Sequence, residues 1–218
     1  MSGNPKVIAI DGPAAAGKGT LAKRLAGHYG LALLDTGLLY RAVAKKVIDQ
    51  GVDLSDPDQY REAAGDVART LTTEDIEGQG LRNDEVAQAA SKVSAIPTVR
   101  SALLDFQRDF AKHPPKGAKG AILDGRDIGT VVCPDADVKL FISASTEVRA
   151  KRRYKELQDR GLEAIYARVL EDMEERDARD MGRDASPLVP AEDALQIDTS
   201  DLDAEQAFTA ALNYIQND

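Results

Sequence analysis

The stretch Val7-Ile8-Ala9-Ile10-Asp11-Gly12-Pro13-Ala14-Ala15-Ala16-Gly17-Lys18-Gly19-Thr20 decides how the rest of the chain is read. It begins as a short apolar run and ends as Gly-x-x-x-x-Gly-Lys-Gly-Thr. A helical pattern follows, with Leu21, Leu25 and Tyr29 spaced by four. Strand, glycine loop and helix in that order form the context in which such a loop binds phosphate. Gly12 and Gly17 permit backbone angles and close approaches that a Cβ forbids. Successive N–H groups of Gly12 to Thr20 then point at a polyphosphate, at the positive end of the helix that starts near Lys18. Lys18 adds a positive charge over the β- and γ-phosphates, and the hydroxyl of Thr20 suits magnesium.

Outward from this loop, the pattern alternates. Leu31 to Asp35, Ala121 to Asp124, Val138 to Ile142 and Ala194 to Asp198 read as four further strands. Between them lie helical patterns: Leu39 to Ile48, Pro97 to Phe110, a charged stretch from Ser145 to Asp184 broken at Gly161, and a closing helix from about Ala204 to Ile215. Strands alternating with helices imply an α/β fold whose parallel sheet is covered on both faces. Ligands then bind beyond the carboxyl ends of the strands, where Asp11, Asp35 and Asp124 fall. Residues 52–95 are polar and broken, with short helical patterns such as Tyr60 to Leu71 and no further strand. They read as a mobile excursion from the sheet.

Composition narrows the function. The chain has 218 residues, 43% of them hydrophobic and 30% charged, enough for one domain with a full core. Its net charge of −9 argues against a general nucleic-acid binder. The single cysteine, Cys133, excludes an intramolecular disulfide, and the distant His28 and His113 make a His/Cys metal cluster implausible. No apolar signal region stands in residues 1–6, and no apolar run reaches membrane-spanning length. A cytoplasmic protein is expected, with no membrane partner.

Three constellations carry chemistry. Asp35-Thr36-Gly37-Leu38-Leu39-Tyr40-Arg41 places Tyr40 and Arg41 one turn into a helix after a strand end. Asp124-Gly125-Arg126-Asp127-Ile128-Gly129-Thr130 crowds charges of both signs at another strand end. There Asp124 suits magnesium or its waters, Arg126 a phosphate, and Asp127 an exocyclic amine, since a carboxylate only accepts hydrogen bonds. Third, Arg149, Arg152 and Arg153 lie before Gly161, and Arg176, Arg179 and Arg183 after it. Arg176, Asp180 and Arg183 share a helix face. The two arginine clusters read as a lid that closes over phosphates, as phosphoryl transfer requires charge neutralisation. An Asp–Arg loop clamp and a solvated, salt-bridged helix are the plain structural alternatives.

Lys18-Gly19-Thr20 resembles the loop of nucleoside-monophosphate kinases. The ordered set of phosphate loop, Asp-Thr-Gly-x-x-Tyr-Arg, Asp-Gly-Arg-Asp-x-Gly-Thr-Val-Val and Arg-x-x-x-Asp-x-x-Arg resembles the bacterial cytidylate kinase family over nearly the whole chain. Ala89-Ala90-Ser91-Lys92-Val93, Pro97, Val99-Arg100 and Pro187-Leu188-Val189-Pro190-Ala191 also match. The resemblance implies a three-layer P-loop kinase fold: one domain over residues 1–218 with a central five-stranded parallel sheet. Its core would span about 5–50, 97–145 and 185–218, with a short excursion binding the nucleoside monophosphate over about 52–95 and a helical lid over about 146–184.

It implies transfer of the γ-phosphoryl group of ATP, with Mg2+, to CMP or dCMP by a monomer that binds no nucleic acid. Gly12, Pro13, Ala14, Ala15, Ala16, Gly17, Lys18, Gly19, Thr20 and Arg152 would hold ATP. Thr36, Tyr40, Arg41, Arg82, Ser91, Arg100, Arg126, Asp127, Arg176 and Asp180 would hold CMP, with Ser91, Arg100 and Asp127 reading the cytosine. Lys18, Arg126, Arg176 and Arg183 would be catalytic, and Thr20 with Asp124, through water, would hold the metal. One departure stands out: Leu71 to Leu81 is too short and polar for the small antiparallel sheet that many members carry in this excursion.

Two alternatives stay open. One is a kinase of another small acceptor, such as AMP, UMP or shikimate; adenylate kinases resemble Asp-Gly-Phe-Pro-Arg where this chain has Asp124 to Asp127. The other is a GTP-dependent switch, against which stands the absence of an Asn-Lys-x-Asp segment.

Overall fold

A computed structural model describes residues 6–53 and 56–217; the reading of residues 1–5 lies outside them. The apolar runs become strands β1 (Val7–Asp11), β2 (Ala32–Asp35), β3 (Ala121–Asp124), β4 (Val138–Ser143) and β5 (Leu195–Asp198). They form one five-stranded parallel sheet in the order β2-β3-β1-β4-β5. Ile8 lies opposite Ile122 on one side and Val138 on the other, so β1 is central and fully flanked. That position explains its apolar sequence, since a parallel strand between two neighbours is buried on both faces.

Helices α1 (Lys18–Tyr29) and α9 (Ala204–Asn217) cover the sheet core. Leu21, Leu25 and Ile215 pack with Ile8, Ile10 and Ile142. Burying each such side chain contributes about 1.5–3 kcal/mol. Gly30, with φ 67, ends α1 in the left-handed conformation that glycine adopts without penalty. The charged stretch forms α7 (Thr146–Asp159) and α8 (Tyr166–Gly182), separated at Gly161, whose φ is 72. Ser145 caps α7 by accepting from Val148 N at 3.3 Å.

The chain divides into two compact units, Met1–Leu34 with Ala111–Asp218, and Asp35–Phe110. The second unit takes in α2 (Gly37–Asp49) and most of α6 (Pro97–Lys112), besides α3 (Pro57–Arg69), α4 (Thr73–Ile76) and α5 (Asp84–Val93). It is therefore wider than the excursion over 52–95 read from the sequence. Asp56 caps α3 at Asp58 N and Gln59 N, 3.1 and 3.2 Å away, ahead of Pro57 in the first turn. Asn83 caps α5 at Val86 N, 2.7 Å away. Between Leu71 and Leu81, Thr72 and Asp75 form a capping box around one short helical turn, and no residue of that segment is in a strand.

Candidate active site

At the end of β1 the chain turns through Gly12, with φ 140. A Cβ there would fall far inside the van der Waals radius of the Ile142 carbonyl oxygen. Ala15 has φ 59, uncommon outside glycine. Such strain persists where surrounding structure fixes the backbone, and it gathers at functional sites. Lys18, the first residue of α1, is 6% exposed. Its Nζ donates to Pro13 O at 2.9 Å and lies 3.7 Å from Asp124 Oδ1 at the end of β3. Burial, and then the nearby Arg126 charge, push its pKa down to about 8 against the pull of Asp124.

Immediately after β3, Arg126 Nε donates to Asp180 Oδ2 at 3.0 Å, and its Nη1 to Gly125 O at 3.1 Å. Burial alone would raise the Asp180 carboxyl, but Arg126, Arg176 and Arg183 together hold it below the usual carboxylate range. Arg126 is half-buried; its guanidinium keeps its proton more firmly than usual because Asp180 and Asp124 outweigh desolvation. Arg183 Nε donates to Ser186 O at 2.6 Å, and its Nη2 lies 3.9 Å from Asp127 Oδ1. The structure thus gathers Lys18, Arg126, Arg176 and Arg183 with Asp124, Asp127 and Asp180 in one region beyond the strand ends, all within the first unit.

The lid reading needs one correction. Arg149, grouped by sequence with the lid arginines, is turned inward and nearly buried. Its Nη1 and Nη2 donate to Asp177 Oδ1 and Oδ2 at 3.1 and 2.5 Å, its Nε to Ala144 O at 2.9 Å, and Nη2 also to Thr146 Oγ1 at 2.8 Å. A guanidinium with these partners ties α7 to α8 and is not available to a phosphate. Arg153, in turn, pairs with Glu156 on the surface at 2.8 Å. Arg152 donates to Thr199 Oγ1 at 3.0 Å and to Thr199 O at 2.6 Å. It borders a pocket of about 290 Å3 lined by Gly17, Thr20, Leu21, Thr199, Leu202 and Asp203, among others. A pocket with a mainly apolar lining beside the phosphate loop has the character of a nucleobase site.

In the second unit, the Arg100 guanidinium stands 5.6 Å from the centre of the buried Tyr40 ring, within cation–π range. Arg100 Nη1 donates to Ser94 O at 3.1 Å and Arg41 Nη1 to Leu81 O at 2.9 Å. Thr36 and Ser91 are buried. Arg82 makes an exposed pair with Asp35 at 3.2 Å.

Sequence reasoning missed the roles of Arg149, Asp177, Thr199 and Asp11. Arg149 and Asp177 are 28 positions apart, and no spacing rule links them. Asp11 did leave a signal: it is an acid at the end of an otherwise apolar strand, directly before the glycine loop.

Magnesium fits the residues present. Thr20 and Asp124 offer hard oxygens at adjacent elements, and a Cβ on Gly19 would lie 3.6 Å from Asp124 Oδ2, so the first turn of α1 borders that carboxylate. Magnesium in phosphoryl-transfer sites takes only one or two protein ligands besides phosphate and water. The absence of a cluster of three or more His, Cys, Asp or Glu among the described residues is compatible with that coordination.

A parallel sheet with this loop after its first strand, and cations gathered beyond the strand ends, defines a P-loop kinase fold. The Cytidylate kinase family profile matches residues 8–217. The chain is 63% identical over 209 residues to the cytidylate kinase of Paramagnetospirillum magneticum, covering 96% of this chain and 97% of that one. It is 58% identical over 211 residues to that of Methylocella silvestris, covering 97% and 94%. Among solved structures, an uncharacterized protein from Eubacterium ventriosum shares the fold at a TM-score of 0.55 with 17% identity, over 98% of this chain and 99% of that one. The chain belongs to the cytidylate kinase family.

Proposed function

We propose that the chain transfers the γ-phosphoryl group of ATP to the phosphate of CMP or dCMP, giving ADP and CDP or dCDP. The observation that carries this reading is the gathering of Lys18, Arg126, Arg176 and Arg183 around Asp124 and Asp180. In-line transfer spreads charge over the equatorial oxygens of the moving group, and fixed cations offset it without reorganising. The acceptor is a nucleotide phosphate, already ionised near neutral pH, so no general base is required.

Residues 12–20 hold the ATP phosphates, with Lys18 on the β- and γ-oxygens, and Arg152 borders the base pocket. Thr20, and Asp124 through water, would hold magnesium, whose chemistry there would be neutralisation of phosphate charge. In the first unit, Arg126 takes the acceptor phosphate, Arg176 and Asp180 reach the sugar, Asp127 accepts from the cytosine amine, and Arg152, Arg176 and Arg183 close on the phosphates. Arg183 joins Arg126, Arg176 and Lys18 as the catalytic set. Without nucleotide, Asp180 serves as a counter-charge that keeps Arg126 oriented. In the second unit, Thr36, Tyr40, Arg41 and Arg82 serve the acceptor phosphate and its surroundings, while Ser91 and Arg100 serve the base.

Cytosine offers an N4 amine that a carboxylate can accept from; uracil presents a carbonyl at that position, so Asp127 would select against UMP. Closure of the α7–α8 region would exclude water, the competing acceptor. We read the enzyme as a cytoplasmic monomer that acts on small molecules and binds neither nucleic acid nor membrane. No helix of the described residues is long and apolar enough to cross a membrane.

The test is ADP release from ATP and magnesium with CMP, dCMP, UMP, AMP and shikimate offered separately, against a control without acceptor. Rapid turnover with CMP and dCMP and little with the others is the expected result. Preference for another acceptor would overturn the roles of Ser91, Arg100 and Asp127 and leave the phosphate loop standing.

A further inference from the structure

We infer that Asp11 is a positioning residue for CMP recognition: its carboxylate fastens the turn directly after Arg126 and Asp127 to the strand that ends in the phosphate loop. Asp11 is only 4% exposed. Its Oδ1 accepts from Ile128 N at 2.8 Å and its Oδ2 from Gly129 N at 2.7 Å. These amides open a single π-helical turn, Ile128–Val132, whose own bonds run from Val131 N and Val132 N to Asp127 O and from Cys133 N to Ile128 O. The first amides of any helical turn have no partner inside it. Buried without Asp11, these two would lose their acceptors at a cost comparable to a lost hydrogen bond each.

A second tether lies on the other side of the pair: Gly125 N donates to Ile10 O at 2.9 Å. Arg126 and Asp127 are therefore held between two points fixed to β1. Each amide meets its own oxygen, an arrangement a carboxylate supplies, whereas a carboxamide in the same place would turn an NH2 donor toward one of the two amides. The turn is also closely packed, since a Cβ on Gly129 would come within 3.2 Å of Lys139 Cδ and 3.4 Å of Asp11 Oδ2. Burial raises the Asp11 carboxyl to about 6, although the Ile128 and Gly129 amides favour its ionised form. π-Helical turns gather at functional sites, and here the turn begins next to the residue assigned to the base.

The inference rests on the assignment of Arg126 and Asp127 to CMP, so Asp127→Ala is measured alongside. Asp11→Asn keeps the volume and one acceptor oxygen. Its kcat/KM for CMP should fall by about 10- to 100-fold, in proportion to a small misplacement of the binding groups, while the dissociation constant for ATP moves by less than about threefold. Asp11→Ala should extend the same order. A folded Asp11→Asn with CMP kinetics within about twofold of the parent would overturn the inference, as would equal weakening of CMP and ATP, the mark of general loosening. Hydrogen exchange on the unaltered protein tests the tether without a variant. Slow exchange at the Ile128 and Gly129 amides is expected, and exchange at the rate of free peptide would overturn it. If Asp127→Ala leaves CMP binding intact, the assignment of the base site fails; if it weakens CMP while Asp11→Asn does not, only the role of Asp11 fails.

Discussion

The two units hold their functional side chains in different ways. In the first, Lys18, Arg126, Asp127 and Asp180 are buried or nearly so, and Arg126 is fastened by partners from another element. In the second, Arg41 and Arg100 are half-buried and donate to backbone carbonyls, and Arg82 makes a solvent-exposed pair. A charge removed from the first region leaves its partner buried and uncompensated, which is costly. In the second, water can replace what the exposed Arg82 loses. The first region should therefore behave as an all-or-none unit and the second as a set of graded contributions.

The largest expected effect is on catalysis. Lys18→Ala should lower kcat by about 100-fold or more while circular dichroism shows a folded protein, because it removes a cation at the centre of charge development. Near-normal turnover would dissolve the distinction between the regions. Arg149→Ala should destabilise by about 3–5 kcal/mol in urea unfolding, since Asp177 is left as a buried unpaired charge. A cost below about 1 kcal/mol would show that water reaches the pair. Asp127→Ala should raise KM for CMP about tenfold or more and leave KM for ATP nearly unchanged, the size expected for one hydrogen bond to a charged group. Equal changes for both substrates would contradict its role at the base.

Acidity offers a gentler perturbation. Lys18 is protonated below about 8 in the folded protein, so ATP affinity should be highest there and decline as pH rises through that value. Folding stability has the opposite trend. The native state gives up this proton before the unfolded chain does, so burial of the charge costs most below about 8. Stability from this group then grows toward the unfolded lysine value of 10.5. Calorimetric titration of ATP across pH 7 to about 9.5 reads the first trend. Smallest of all, Arg82→Ala should change stability by less than about 1 kcal/mol, as exposed pairs do. Its KM for CMP should rise only a few fold; a loss as large as that of Asp127→Ala would place Arg82 with the first region.

Much of this arrangement is legible in the chain. The central strand is apolar because it is flanked on both sides, and α1 follows from Gly17, Lys18 and the leucines at spacings of four. The edge strand β5 and helix α9 fall within two residues of the expected ends, Ala194 to Asp198 and Ala204 to Ile215. What stayed hidden has a common physical origin in partners distant along the chain. Arg149 looks like its neighbours Arg152 and Arg153 until Asp177 is brought across from α8. The π-helical turn at Ile128–Val132 has no repeat of its own to read, being stabilised by Asp11, more than a hundred positions away. Capping by Asn83 and the box of Thr72 with Asp75 could have been read locally, from the capping residue and the acids that follow it.

Gly12 has a consequence for how the loop can vary. What a side chain would strike there is the main chain of β4, at Ile142. When a neighbour is a side chain, a second substitution can shrink it and restore room. A peptide carbonyl within a sheet cannot be trimmed by any change of residue. Position 12 is thus closed to second-site suppressors that act by carving space, and the loop backbone there lies directly on the sheet with no compressible layer beneath it.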